Sequence, residues 1–309
     1  MMKHQHQRER QMTYYAVVDL GTNSARLMIA HLESGSVHSD FKTLRMVRIG
    51  EGMVSERRII PAAMERTAHA LNEFKEIAQR YDVGNHFFCF GTSAVREASN
   101  RDDFVRYIQT ECGVSIDVIS GEKEASLGFA GSVEGYGGMF DIGGGSTEVM
   151  FGSLQDVWFQ RSFQIGTVRS HAMFPGADDA QPAAFAAAHR HMETMFSAIP
   201  DPGEIVFTGI GGSATALAAI DMKLEQYDAQ RVQGYVLTLE RVQELCHRLE
   251  GMTKEQRKTL IGLEEKRADV IVFGAIIMLE FMEAVGATYI TVSDRDNQEG
   301  YLSLKLGLI

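Results

Sequence analysis

FDIGGGSTEV (residues 140–149) ends an apolar run on an Asp, turns through three consecutive glycines, and resumes as a second apolar run carrying a Glu. Set beneath VDLGTNSARL (residues 18–27), it aligns Asp141 with Asp19, Gly143 with Gly21, Gly145 with Asn23, Ser146 with Ser24 and Glu148 with Arg26. Each copy reads as buried strand, Asp-x-Gly turn and second strand. Asp141 lies 122 residues after Asp19, too far for a solenoid unit and suited to a duplicated domain. The chain is therefore read as two related α/β lobes whose first hairpins face each other across a cleft.

Outward from the first copy the text keeps alternating. YYAVVDL, ARLMIAHL and VHSDFKTL read as strands, and Pro61 opens a helical pattern running to about Tyr81. HFFCFGT is a short strand, 94–111 is helix-like, SIDVIS is a strand, and a helix starts near Glu122. Such alternation marks an α/β fold. Residues 1–12 are expected to be a flexible tail. Lobe I is assigned to 13–126, completed by a C-terminal helix over 297–309, and lobe II to 127–296.

Composition narrows the partners. The 309 residues carry a formal net charge of −11 and are 45% hydrophobic, enough apolar material for a core in each lobe. An acidic surface excludes broad nucleic-acid binding, but a local Arg cluster or a bound cation admits a small anionic substrate. Cys89, Cys112 and Cys246 are scattered, odd in number and without metal spacing, which reads as reduced, buried thiols in a cytoplasmic protein. The leading MMKHQHQRERQ has no apolar core of a signal peptide. VIVFGAIIMLEFM (270–282) contains Glu280 and falls short of the roughly 20 residues a membrane span needs. No membrane partner is expected.

The turns carry the chemistry. Gly21, Thr22, Asn23 and Ser24 in one copy, and Gly143, Gly144, Gly145 and Ser146 in the other, let backbone N–H groups converge on a phosphate. No GxxxxGK[ST] occurs, so the cradle is not that of a P-loop. Asp19 and Asp141 end their strands where a divalent cation would sit, and Glu148, on the face of Ser146, suits metal binding or general-base work. In ISGEKEASLGFAG (119–131) Glu122 and Glu124 point about 200° apart on a helix, so one faces the cleft; the residues alone leave both open. GTSAVREASN (91–100) places Arg96 inside a helix start as a bidentate phosphate ligand. FTGIGGSATAL (207–217) offers Gly211 and Gly212 at another helix N-terminus, a usable anion site. No HExxH and no GxSxG occurs; His4 and His6 belong to the tail, and His189 and His191 read as lying on a surface helix. Arg45, Arg48, Arg57 and Arg58 form a basic, solvated loop.

Taken together and in order, VDLGTNSARL, GTSAVR, ISGEKEA, FDIGGGSTEV, QIGTVR (164–169), GIGGSATAL and RADVIVFGA (267–275) resemble the exopolyphosphatase / guanosine pentaphosphate phosphatase family, over nearly the whole chain from about Tyr15. The resemblance implies two ribonuclease-H-like lobes of the actin-like ATPase superfamily with the active site between them. It implies Mg²⁺-dependent release of terminal phosphate from inorganic polyphosphate, guanosine pentaphosphate or both, in a protein that forms homodimers. It places the catalytic pair on Glu124 and Glu148, metal-associated carboxylates on Asp19, Asp141 and Glu148, and a phosphate-side Arg on Arg96. A phosphotransferase of the same superfamily and a non-hydrolytic sensor of guanosine polyphosphates are the alternatives. Where the family reads GLREG this chain reads SDRDNQEGYL (293–302), and no C-terminal HD-type module is expected within its length.

Overall fold

The computed structural model describes residues 12–309; the expected tail, His4 and His6 included, lies outside the described residues apart from Met12. Among the described residues, eleven strands form two sheets. In the first, β1 (Tyr14–Leu20), β2 (Ser24–Glu33), β3 (Ser36–Met46), β4 (Phe87–Gly91) and β5 (Asp117–Val118) take the order β3-β2-β1-β4-β5. The second contains β6 (Gly137–Ile142), β7 (Thr147–Gly152), β8 (Val157–Phe163), β9 (Phe207–Ile210), β10 (Tyr235–Thr238) and β11 (Tyr289–Val292), ordered β10-β11-β9-β6-β7-β8. Read from β8 to β11, the second sheet repeats the first: two antiparallel pairs, then two parallel ones. β10 is added antiparallel at the far edge.

The repeat extends to register. Asp19 stands opposite Arg26 across β1 and β2, and Asp141 opposite Glu148 across β6 and β7. β6 is buried along its whole length and β1 over its last five residues, so each is a central strand covered on both faces, and apolar side chains fill both sides.

The apolar segment 270–282 becomes the helix Ile271–Ala284, buried nearly all round in the second lobe. Helices Pro182–Phe196, Gly211–Asp221 and Leu239–Glu250 pack on it, and its Phe281 stacks on Phe140 of β6 at 4.4 Å between ring centroids. Its hydrophobicity serves a core, and among the described residues no helix is long and apolar enough to cross a membrane. All three cysteines are free and buried, as expected.

Two sequence expectations change in detail. The helix expected over 94–111 is two, Ser93–Glu97 and Arg101–Cys112. Asn100 breaks it: its side chain accepts from the Ile59 N–H and donates to the Ile59 carbonyl, both at 2.9 Å, and the backbone leaves the helix at Ala98. SIDVIS contributes only Asp117–Val118 to the ladder, as the edge strand β5.

The expected lobe boundary at 126/127 falls within the helix Gly121–Ser132. That helix packs on β6, β7 and β8 and most extensively on the C-terminal helix Asn297–Lys305, which itself lies against β1 and β3. Gly131 and Gly300 make this approach possible: a Cβ on Gly131 would collide with the Asp296 carbonyl oxygen, and one on Gly300 with that of Leu127. Backbone on both sides leaves nothing to yield. Gly300→Ala is therefore expected to destabilise by about 1–3 kcal/mol through overpacking, read as a lower thermal midpoint; an unchanged midpoint would show that the two helices are free to separate.

Candidate active site

Both hairpin turns close identically. The Gly21 N–H donates to the Ser24 carbonyl at 3.1 Å, and the Gly143 N–H to that of Ser146 at 3.0 Å. The turn carbonyls are then held from the segment that follows the third strand of each lobe. The Thr22 carbonyl accepts from the Gly50 N–H at 2.8 Å, and the Gly144 carbonyl, 122 residues on, from the Val168 N–H at 2.8 Å. With the carbonyls held, the amides of Thr22, Asn23, Gly144 and Gly145 donate to no group among the described residues. Two sets of unspent N–H donors at facing turns make an anion-binding concavity.

The glycines of the second turn have a further duty. A Cβ on Gly144 would stand 2.9 Å from Thr22 Cβ, and one on Gly145 2.6 Å from Ser93 Oγ and 2.8 Å from Thr22 Oγ1. The lobes meet there, turn against turn. Arg169 ties the same place together: its Nε donates to the Gly145 carbonyl at 2.6 Å and its Nη2 to Glu97 at 2.7 Å. The cleft between the turns is partly open to solvent and offers about 70 Å³ to water-sized groups.

Below the turns lies a floor of buried carboxylates: Asp19, Asp141, Glu124, Glu148 and Asp296. Arg26 donates through Nε to Asp19 Oδ2 at 3.1 Å and through Nη1 to Asp296 Oδ2 at 2.5 Å. Asn297 donates to Asp141 Oδ2 at 2.8 Å, and Ser162 to Glu148 Oε1 at 2.7 Å. Arg96 Nη1 donates to Glu124 Oε2 at 2.9 Å and to the Ile119 carbonyl at 3.1 Å. Asp19 Oδ1, Glu148 Oε2, Arg96 Nη2 and Asn297 Oδ1 are buried without a hydrogen-bond partner. Buried polar atoms left unpaired are costly; of the five among the described residues, these four belong to the site and its immediate partners, and the fifth, Glu299 Oε1, stands 2.8 Å from Lys42 Nζ.

Charge crowding shows in the acidities. Burial, with Glu148 adding, raises Glu124 well above the usual carboxylate range against the pull of Arg96. Burial and the neighbouring Asp141 push Glu148 up to about 7. Burial with Asp296 and Asp19 lifts Asp141 to about 6. Asp19 is raised by burial although Arg26 holds it. Despite its burial, Asp296 is drawn down by Arg26 and Lys42.

The structure brings most of the sequence-predicted site residues to one cleft. Asp19, Gly21 to Ser24, Glu124, Asp141, Gly143 to Ser146, Gly211 and Gly212 line the cleft, with Arg96 and Glu148 joined to it through Glu124 and Asp141. Glu124 is buried and Glu122 exposed, which separates the two acidic residues that helical geometry left open. Gly211 has φ +77°, and a Cβ there would strike Asp141 Oδ1; one on Gly212 would strike the Arg267 guanidinium. These two glycines give room to side chains of the site. The expected basic loop starts later than Arg45, which lies on β3 and pairs with Glu73 at 2.6 Å; Arg48 pairs with Asp269 at 3.5 Å, and a short helix, Met53–Glu56, interrupts the stretch.

Sequence reasoning missed Arg26, Ser162, Asp296 and Asn297. Arg26 was visible in the aligned repeat, opposite the position that carries Glu148. The divergent 293–302 segment marked Asp296 and Asn297 without indicating their contacts. The helix bearing His189 keeps one face in solvent, as expected, and packs the other on the Ile271–Ala284 helix, where half-buried His189 lies between Glu250 and Glu280.

Residues 28–307 match the profile of the Ppx/GppA phosphatase family. The chain is 32% identical to Exopolyphosphatase 2 of Mycobacterium tuberculosis, covering 94% of this chain and 97% of that protein. It is 30% identical to the bifunctional 3-dehydroquinate synthase/phosphatase of Fusobacterium nucleatum over 92% of its own length, and spans only 45% of that longer protein. Among solved structures, an exopolyphosphatase from Cytophaga hutchinsonii superposes with a TM-score of 0.85 at 27% identity, covering 96% of this chain and 98% of that one.

Proposed function

The chain belongs to the Ppx/GppA phosphatase family, and on that premise we propose that it is a Mg²⁺-dependent phosphoanhydride hydrolase that releases the terminal phosphate of inorganic polyphosphate. The observation that carries the reading is Glu124. It is a buried carboxylate of raised basicity, oriented by Arg96 and set beside two turns with unspent N–H donors. A pure binding site for a polyanion gains nothing from such a group. A hydrolase needs it.

Each residue then has a part. The amides of Thr22, Asn23, Gly144 and Gly145 hold the oxygens of the terminal phosphoryl group, and the unpartnered Arg96 Nη2 supplies a further donor. Glu124 orients the attacking water and takes its proton. Glu148, fixed by Ser162, assists from the facing strand. Such transfers rest on positioning and electrostatics more than on covalent chemistry.

The residues present fit a divalent cation. Asp19, Asp141 and Glu148 would hold it, since two of them keep a buried carboxylate oxygen unpaired and the floor holds more carboxylates than guanidinium groups. When bound, Mg²⁺ neutralises charge on the phosphoryl oxygens. A signed consequence follows for the free protein. The folded pKa values of Asp141 and Glu148 are raised, from 3.8 to about 6 and from 4.5 to about 7. Their protonated forms thus add stability that is complete below about pH 4 and lost as pH rises through 6 and 7. Mg²⁺ is expected to raise the melting temperature more at pH 8 than at pH 5, where protons occupy its place; equal shifts would contradict this ligand set.

The assignment is tested by phosphate release in the absence of ATP or any acceptor, with polyphosphate and guanosine pentaphosphate compared, in Mg²⁺ and in chelator. Release from polyphosphate in Mg²⁺ alone is the expected result. A preference for guanosine pentaphosphate would move the substrate assignment, and a requirement for an acceptor would make the protein a phosphotransferase. Tight binding without release would make it a sensor.

A further inference from the structure

The second lobe brings together a set of side chains that has no part in the cleft. His189 comes from the Pro182–Phe196 helix, Cys246 and Glu250 from Leu239–Glu250, and Glu280 from Ile271–Ala284. Cys246 and Glu250, four residues apart, share one face of their helix. His189 Nε2 stands 2.7 Å from Glu250 Oε1, and Cys246 Sγ 3.8 Å from the same oxygen. One ligand atom each from His189, Cys246 and Glu250 lies within 4.8 Å of the others. The other imidazole nitrogen, Nδ1, is 2.6 Å from Glu280 Oε1.

We propose that His189, Cys246 and Glu250 bind one zinc-class divalent cation, with Glu280 orienting the imidazole from behind and water completing the shell. Imidazole nitrogen, thiolate sulfur and carboxylate oxygen are the donor set of tetrahedral zinc. The sulfur selects against Mg²⁺, which takes oxygen ligands. Bonds of about 2.0–2.3 Å put tetrahedral ligands roughly 3.3–3.8 Å apart, close to the spacing present. Glu280 occupies the place of the carboxylate that commonly fixes a metal-bound histidine through its second nitrogen. The geometry suits a cation, since carboxylates of Glu250 and Glu280 flank the imidazole on both nitrogens. Zinc binding displaces a proton from the His189 imidazole and the one on the Cys246 thiol, both released to solvent.

The test uses the untagged full chain, freed of metal and titrated with Zn²⁺ against a chromophoric chelator, then with Co²⁺ to read thiolate-to-metal charge transfer. The titration is run in excess Mg²⁺, which fills the carboxylate site of the cleft, and one saturable equivalent is expected. It should be lost, with the charge-transfer band, in Cys246→Ser and in His189→Ala, and weakened about 10–100-fold in Glu280→Gln, which keeps all three ligands. Phosphate release by these variants should be unchanged, because none of the residues lines the cleft, and that readout also verifies folding. Absence of saturable binding, or binding that survives Cys246→Ser, overturns the proposal; the histidines at positions 4 and 6 would then be the source of any residual affinity.

Discussion

Replacing Glu124 by Gln is expected to lower the turnover of polyphosphate by about 10²–10⁴, the range typical of a lost general base, while polyphosphate still binds. The substitution keeps the shape and the hydrogen-bond acceptor that Arg96 Nη1 contacts at 2.9 Å. It removes the basicity. Because Glu124 is 6% exposed and already raised by burial and by Glu148, its neutral isostere fits the pocket with less repulsion than the native carboxylate. Binding should therefore hold or tighten as kcat falls. A variant that turns over near the native rate would show that the water is activated elsewhere, and Glu148 would be the next group to test.

Arg96→Ala is expected to act twice. Its Nη2 is a buried donor that finds no acceptor among the described residues, and the proposed function assigns it to the phosphate. Losing one such transition-state donor costs about 10²–10³ in rate. Its Nη1 also lowers the pKa of Glu124, so its removal raises that pKa further. A general base works only when ionised, so the acid limb of the pH–rate profile should move to higher pH. Arg96→Lys, which keeps the charge without the fork, should recover part of the pH shift and less of the rate. A rate loss with an unmoved acid limb would separate Arg96 from the base and leave it a phosphate ligand alone.

Much of this was legible because duplication wrote it twice. Aligning VDLGTNSARL with FDIGGGSTEV placed Asp19 on Asp141 and Arg26 on Glu148, and in the folded protein Asp19 pairs across strands with Arg26 as Asp141 does with Glu148. The repeat thus carried register and fold together. The rest was hidden for a physical reason. Periodicity reports which face a residue takes within its own element and nothing about the partner it meets. Asn297 reaches Asp141 across 156 residues, and Arg26 reaches Asp296 across 270. Neither contact leaves a local signal. Gly211 and Gly212 illustrate the same limit: the sequence marks them as a turn, but their neighbours, Asp141 and Arg267, belong to other elements. His189 sits half-buried on a surface helix, and only the packing of two further helices sets it between Glu250 and Glu280.

The central claim is that a water, positioned by Glu124, attacks the terminal phosphoryl group with no other acceptor. It is tested most directly by incubating the wild-type protein with polyphosphate and Mg²⁺ in ¹⁸O-enriched water, without nucleotide or sugar, and weighing the phosphate released. One ¹⁸O in each phosphate, with chains shortening from the end, is the predicted result. Unlabelled phosphate, or bound polyphosphate that releases none, would contradict it.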